Sequence, residues 1–296
     1  MNTHHLEILT VNAFSDSPNG CNPAGIVLNA DQLSYEEKLL IAQKIGFSET
    51  AFVSTSGKAD FKLDFFTPSR QIGDCGHATV ATFKALLEKG LLKNERSSKE
   101  IQAGVREIII KDGQIFMEQS APVYTHPLDK EVGQYEILQS LHLTYEDIKG
   151  QAMVVKTEEN YLVLEIKNEA KLKNIEPDFK AIENISDKLD LIGYYIFTRD
   201  TEGADASVRM FAPRYGINEE SATGIGAGTL ASYLYDYVKI NKEHIVIKQG
   251  YLMPDPSPSL LYIYLELEDK KIKKLLVGGN AVITGKLSVE ELFQLT

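Results

Sequence analysis

Two stretches decide the fold: Phe66-Thr-Pro68 followed by Asp74-Cys-Gly-His-Ala-Thr-Val-Ala81, and Phe211-Ala-Pro213 followed by Ala222-Thr-Gly-Ile-Gly-Ala-Gly-Thr-Leu-Ala231. In each, a strand ends at Phe-x-Pro and a loop follows. A glycine-containing turn then opens a helix of small residues, and Cys75-Gly76 matches Thr223-Gly224. Glycine lets backbone N–H groups approach a ligand, and a helix N-terminus offers unpaired donors and partial positive charge. That makes an anion site without arginine. Two such termini facing each other would hold a carboxylate-bearing substrate between two domains, and the small residues would let each helix lie buried at the centre of its domain. Two strand–loop–helix units also arise by chance, and the pattern alone leaves both readings open. Gly224-x-Gly226-x-Gly228 suggests a nucleotide loop but lacks the G-x-G-x-x-G spacing.

Working outward, Glu7–Phe14 and Ala24–Leu28 have strand composition, with turn chemistry over Asp16–Gly20. Ser34 starts a helix with Glu37 at the capping-box position, and Gly46 stops it. Thr50–Val53 and Phe61–Phe66 are expected strands, and Gly76 to about Leu87 an expected helix. Lys93–Glu100 is charged and turn-like. Asp112-Gly113 joins a hairpin between Val105–Ile110 and Gln114–Glu118. Ser120–Pro127, with two prolines, is the expected interdomain linker. Beyond it, helices are expected near Glu131–Leu141, Asp178–Leu189 and Gly226–Val238. Strands are expected near Leu162–Ile166, Tyr194–Thr198, Ser207–Phe211, Ile245–Lys248, Leu260–Leu267, Lys274–Val277 and Val282–Thr284. Periodicity gives an α+β or α/β class and stops there.

The chain has 296 residues, 43% of them hydrophobic, which suits one large or two medium domains. Its formal net charge of -11 argues against nucleic acid and anionic membrane as partners. Two cysteines, Cys21 and Cys75, make neither a disulfide framework nor a zinc motif. No signal-peptide pattern opens the chain, and no apolar run approaches a bilayer span, so a cytoplasmic protein is expected. A homodimer is the generic expectation.

Five motifs occur in order: Asn12-Ala-Phe14, Asn19-Gly-Cys-Asn-Pro-Ala-Gly25, Gly46-Phe-Ser-Glu-Thr-Ala-Phe-Val53, Cys75-Gly-His-Ala-Thr79, and Arg209-Met-Phe-Ala-Pro213 with Ala222-Thr-Gly224. Over nearly its full length the chain resembles the PhzF-like (phenazine biosynthesis-like) family, whose fold is similar to that of diaminopimelate epimerase. The resemblance implies an α+β fold of two pseudo-symmetric domains, each a mixed sheet wrapped around a central helix, with the active site in the cleft. We place them at residues 1–119 and 128–285, with the residues after 285 packing back on the first.

The resemblance also implies an isomerase without cofactor or metal. The family's proton-carrying glutamate maps to Glu49 and its Gly-His pair to Gly76-His77. An aspartate that lines the family's site aligns with Glu220, a proline with Ser221, and a serine with Ile225. These departures leave the glutamate intact and put the phenazine substrate in doubt. A base that later acts as an acid needs a pKa raised by about two from about 4.3, or about 2.7 kcal/mol. The positive helix end would favour neutral His77, donating one hydrogen bond.

Cys75 stands where diaminopimelate epimerase has one of its two proton-transferring cysteines, but its would-be partner is Thr223, a poor base. A Cys/Thr pair resembles that of some hydroxyproline dehydratases. Cys75 is therefore an auxiliary candidate or a small space-filling residue. Glu220 would orient His77 or bind a substrate amine, unless it and Glu219 are a solvated pair. Asn22, Thr223 and Gly224 complete the expected substrate contacts, while Met210 and Phe211 are expected in the core. The leading expectation is a proton-moving isomerase of a small carboxylate. The alternatives are a Cys75-dependent dehydratase or racemase of a cyclic amino acid, and a non-catalytic small-molecule binder.

Overall fold

Burial alternates with the two-residue period of strands over Arg96–Ile101, His244–Gln249 and residues 259–265, the strands Gly193–Thr198 and Ala206–Ala212 are buried on both faces, and two helices of small residues are buried almost throughout. The structure is a computed structural model that describes residues 6–15, 22–126, 132–288 and 291–292. The turn expected over Asp16–Gly20, and Cys21, Pro127 and Glu131, lie outside these. The chain divides into two units, one of Met1–Glu118 with Gly278–Thr296 and one of Gln119–Val277.

In the first unit the strands are β1 (Glu7–Ala13), β2 (Pro23–Leu28), β3 (Glu49–Ser54), β4 (Phe61–Phe66), β5 (Gln71–Ile72), β6 (Arg96–Ile101), β7 (Gly104–Lys111), β8 (Gln114–Ser120) and β18 (Ala281–Leu287). β18 pairs with β1, β1 with β2, β3 with β4, β6 with β7 and β7 with β8, all antiparallel. β2–β3 and β4–β6 are parallel. Helix α2 (Gly76–Glu88) packs against β1, β2, β3 and β18, so the sheet wraps it. Helix α1 (Tyr35–Ile45) covers another apolar cluster that includes Ile8, Val27, Ile41, Phe52 and Phe66. Its start is the expected capping box of Ser34 and Glu37.

The second unit repeats this order. Its strands are β9 (Val123–Thr125), β10 (Ile148–Lys156), β11 (Asn160–Ile166), β12 (Gly193–Thr198), β13 (Ala206–Ala212), β14 (Ile217–Glu220), β15 (His244–Gln249), β16 (Ser259–Glu268) and β17 (Lys271–Gly279). β11–β12 and β13–β15 are parallel and β12–β13 antiparallel, matching β2–β3, β4–β6 and β3–β4. Helix α6 (Gly224–Asp236), like α2 thirteen residues long, packs against β10, β11 and β16. Short helices α3 (Gln134–Gln139) and α4 (Glu169–Lys173), with α5 (Phe179–Leu189), cover the apolar cluster around Leu162, Ile196 and Phe211. Among the described residues no helix is long and apolar enough to cross a membrane.

Three expectations change. Lys93–Glu100 is not a turn: Arg96–Ile101 is β6, with Ser97, Lys99 and Ile101 facing in. A buried lysine on the inner face broke the apolar pattern that marks a strand. The expected linker contains β9, whose Val123–Thr125 pairs with Lys156–Val154. Residues 278–285, expected in the second domain, belong to the first unit because β18 pairs with β1 along its length.

Gly226 and Gly228 also find their explanation here. A Cβ at Gly226 would sit 2.7 Å from the Tyr195 ring, and one at Gly228 2.0 Å from Gln119 Oε1. These glycines let α6 approach its own sheet. Gly226→Ala gains about 1 kcal/mol of helix propensity but overpacks a buried ring at about 1–3 kcal/mol. Net destabilisation of about 1 kcal/mol is expected in urea denaturation, and a stabilised variant would refute the close-approach account.

Candidate active site

Glu49 opens β3, Cys75 is the N-cap of α2, and Gly76 and His77 are that helix's first two residues. α2 packs on β3, which brings the three side chains together. The His77 ring bridges the others: Nε2 lies 3.2 Å from Glu49 Oε2, and Nδ1 3.4 Å from Cys75 Sγ. The His77 side chain is 9% exposed and that of Glu49 19%. The ring nitrogen nearest Glu49 is close but off-line, so it makes no hydrogen bond of good geometry. Asn22 precedes β2 by one residue, and Ala24 pairs with Glu49, so Asn22 stands at the same end of the strands. Its Nδ2 is also buried without a partner. No side chain caps α2. Two buried donors without partners and an uncapped helix start lie beside the Glu49 carboxylate, and each of them could serve an anion.

The charges differ from the sequence expectation. Burial pushes the Glu49 carboxyl up, but His77, by contact and charge, and Ser48 together hold it below the ordinary glutamate range. Burial pushes His77 down, but the neighbouring Cys75 sulfur and then Glu49 outweigh this and hold the imidazole well above its ordinary range. These directions favour carboxylate and imidazolium, opposite to the raised acid and neutral ring expected from the sequence. Glu49 and His77 each favour the other's charged form, and for His77 the Cys75 sulfur contributes more than Glu49 does.

In the second unit, Glu220 ends β14, Thr223 is the N-cap of α6 and Gly224 its first residue. Thr223 Oγ1 donates to Glu220 Oε2 at 2.7 Å. Glu219 takes another role, accepting two bonds from buried Arg209 at 2.8 and 2.7 Å. Glu219 and Glu220 are therefore not a solvated pair. Arg209 Nη1 also donates to the carbonyls of Lys173 and Ile175.

Fully buried Gln249 holds this turn and was missed from sequence. Its Oε1 accepts from the Tyr195 hydroxyl (2.8 Å) and Thr223 N–H (3.1 Å), and its Nε2 donates to Glu220 O (2.8 Å) and Thr223 Oγ1 (3.0 Å). A backbone N–H can only donate and a carbonyl only accept, so the amide's orientation is fixed. A single glutamine at a strand end carries no motif that would have flagged it.

Glu49, Cys75 and His77 are the metal-ligand types gathered within 4.8 Å among the described residues. Their close contacts fall on opposite nitrogens of one ring, which makes a chain of acids and bases rather than a preformed tripod. His126, His142 and His244 are engaged elsewhere, with Gln151, the Glu176 carbonyl and the Tyr264 ring.

The chain belongs to the phenazine biosynthesis-like family, whose model matches residues 11–286, and it is an isomerase by that kinship. It is similar to an uncharacterized isomerase of Bacillus subtilis, YfhB, with 32% identity over 254 residues covering 82% of this chain and 86% of that one. It is also similar to the trans-2,3-dihydro-3-hydroxyanthranilate isomerase of Pseudomonas chlororaphis, 28% identical over 290 residues, covering 96% of this chain and 98% of that one. The crystal structure of a PhzF family phenazine biosynthesis protein from Bacillus anthracis superposes with a TM-score of 0.83 at 28% identity, covering 96% and 98% of the two chains. The fold is α+β and diaminopimelate epimerase-like.

The paired shifts fix the signs of the pH dependence. His77, raised when folded, contributes stability that is full below its unfolded pKa and is lost as pH rises through the folded value. Glu49, lowered, contributes stability present above its unfolded pKa and lost as pH falls through the folded value. Cys75→Ala removes the foremost group raising His77, so the imidazole should titrate at lower pH in that variant. Nitrogen-15 NMR of the His77 ring measures this, and an unmoved midpoint would refute the assignment.

Proposed function

We propose that Glu49 is the acid/base of a one-base, cofactor-independent proton shift on a small carboxylate-bearing substrate. The observation that carries this reading is the Glu49–His77 contact of 3.2 Å, with the buried imidazole nitrogen unspent. An ionised carboxylate is ready to take a proton from a carbon acid. Removing that proton leaves negative charge delocalised into the conjugated acid. The His77 imidazolium, the Asn22 amide and the α2 N–H groups, starting at Gly76, are donors for such charge. Glu49, once protonated, no longer balances His77 and gives its proton to a second carbon. Acid strength thus comes from the reaction itself, which is why a raised resting pKa is not needed. A proton that only changes carbon leaves the oxidation level unchanged, so no electron carrier is called for. In the second unit Glu220, Thr223 and Gly224 are proposed as substrate-binding groups, on the family motif and on the Glu220–Thr223 bond.

The named reaction of the Pseudomonas chlororaphis relative makes trans-2,3-dihydro-3-hydroxyanthranilate the first candidate substrate. The changes at Glu220, Ser221 and Ile225 favour a screen that extends to other cyclic and amino carboxylic acids. Appearance of an isomer of unchanged mass in ordinary water, or of some deuterium in heavy water, identifies those whose carbon acid the protein ionises. On such a substrate Glu49→Gln should lower kcat by about 10²–10⁴-fold, the usual worth of a positioned proton carrier. Full turnover by this variant would remove Glu49 from the role.

A second reading rests on the Cys75–His77 contact of 3.4 Å: a thiol beside an imidazole suits a dehydratase or racemase of a cyclic amino acid. In a racemase the second base, by the family motif, would be Thr223, but its hydroxyl already donates to Glu220 and accepts from Gln249. Cys75→Ser separates the readings. Turnover within about tenfold of wild type is expected if Glu49 carries the proton, whereas a cysteine base would lose the 10²–10⁴-fold typical of such groups.

A further inference from the structure

Lys99 is 1% exposed, among the most thoroughly buried charges of the described residues. It enters from β6, behind the first turn of α2, with its Nζ 5.3 Å from the centre of the Phe65 ring. The ammonium donates to Asp74 Oδ1 and, at 2.8 Å, to Thr79 Oγ1. Those two acceptors each hold one side of the same residue. Asp74 Oδ1 accepts the Cys75 N–H at 2.7 Å. The Thr79 hydroxyl donates to the Cys75 carbonyl at 2.6 Å, and the Thr79 N–H reaches the same oxygen at 3.0 Å. One buried cation is thus tied through both partners to the peptide groups on either side of the Cys75 Cα.

A stability role alone accounts poorly for this arrangement. Burying an ammonium costs desolvation that its attraction to a carboxylate often does no more than offset, and the Asp74 side chain is itself 43% exposed, which weakens that attraction further. What the pair supplies is geometry. Cys75 sets where α2 begins, and His77 two residues on must meet Glu49 on β3 with its ring edge. A rotation of the first turn would carry the imidazole past both contacts. We propose that Lys99, acting through Asp74 and Thr79, is the positioning residue that fixes the Cys75 turn and so aims His77 between Cys75 and Glu49. This deepens the proton-shift reading and rests on it for its effect on turnover, but the placement of His77 is measurable without activity.

The decisive variant is Lys99→Met with Asp74→Asn, which removes both charges together and leaves none buried alone. Folding is checked by thermal melting, and the His77 ring by nitrogen-15 NMR at fixed pH. The expected result is a folded protein with displaced His77 ring resonances and kcat lowered by about 100-fold, KM changing far less, as small misplacements of reacting groups produce. Thr79→Val, which cuts one arm only, should displace the same resonances in the same direction by less. If the double variant does not fold, Thr79→Val decides by the same resonances. Unchanged His77 resonances in a folded variant would overturn the proposal, leaving Lys99–Asp74 as packing only. Displaced resonances with unchanged kcat would uphold the positioning of His77 and instead overturn the reading of Glu49 and His77 as the working pair.

Discussion

A single imidazole sets the demands on the first unit. His77 has to stand between a carboxylate and a thiol, one on each ring nitrogen, while nearly all of its surface is buried. Burial opposes its charge, and only the two neighbours reverse that. The contacts therefore exist together or not at all. β3 must begin at Glu49, in parallel register with β2. α2 must begin at Gly76, one residue after the cysteine. The sheet must wrap α2 closely enough for its first turn to reach the strand. Much of the first unit's architecture is what such placement requires.

The second unit solves the related problem with neutral chemistry. In both units the strand after the central helix, β6 or β15, pairs in parallel with β4 or β13, and an inward side chain on it braces the helix entry. In the first unit the brace is Lys99, opposite Phe61, and it works through charge. In the second it is Gln249, opposite Val208, a carboxamide with four bonds satisfied. The registers Phe61↔Lys99 and Ala206↔Ile247 place the two braces two residues apart along equivalent strands. The duplicated plan thus preserves the task while the residue and its electrostatics diverge. An ammonium leaves a strong field around the Cys75 turn, whereas an amide fixes the Thr223 turn with little field of its own.

Much of this was legible in the sequence because it is carried by local pattern. Phe-x-Pro, the Gly-containing turns and the small-residue helices marked the duplicated units, and the ordered motifs marked Glu49, Cys75 and His77. Some pieces that escaped hold a polar residue in an inward-facing job, and β10 (Ile148–Lys156), with Lys149, Gly150 and Gln151 exposed, was not expected at all. Lys99 made β6 look like a charged turn, Gln249 looked like an ordinary strand end, and β9 was hidden between prolines. Gly226 and Gly228, set aside as a nucleotide loop for lack of the right spacing, are explained by close approach to Tyr195 and Gln119, which the sequence did not show. Protonation was the least legible property. The directions for Glu49 and His77 follow from contacts of 3.2 Å between them and 3.4 Å from His77 to Cys75, which no spacing in the chain encodes.

In the proposed mechanism one carboxylate lifts a proton and returns that same proton elsewhere. The most direct measurement is a single turnover in ordinary water with a substrate carrying deuterium at the carbon that is deprotonated. If Glu49 is the sole carrier, part of the deuterium should appear at the new carbon of the product, because a proton on a shielded carboxyl exchanges slowly beside a fast return. Product containing only solvent hydrogen, at every pH and at the shortest times, would contradict a single carrier and point to two separate bases.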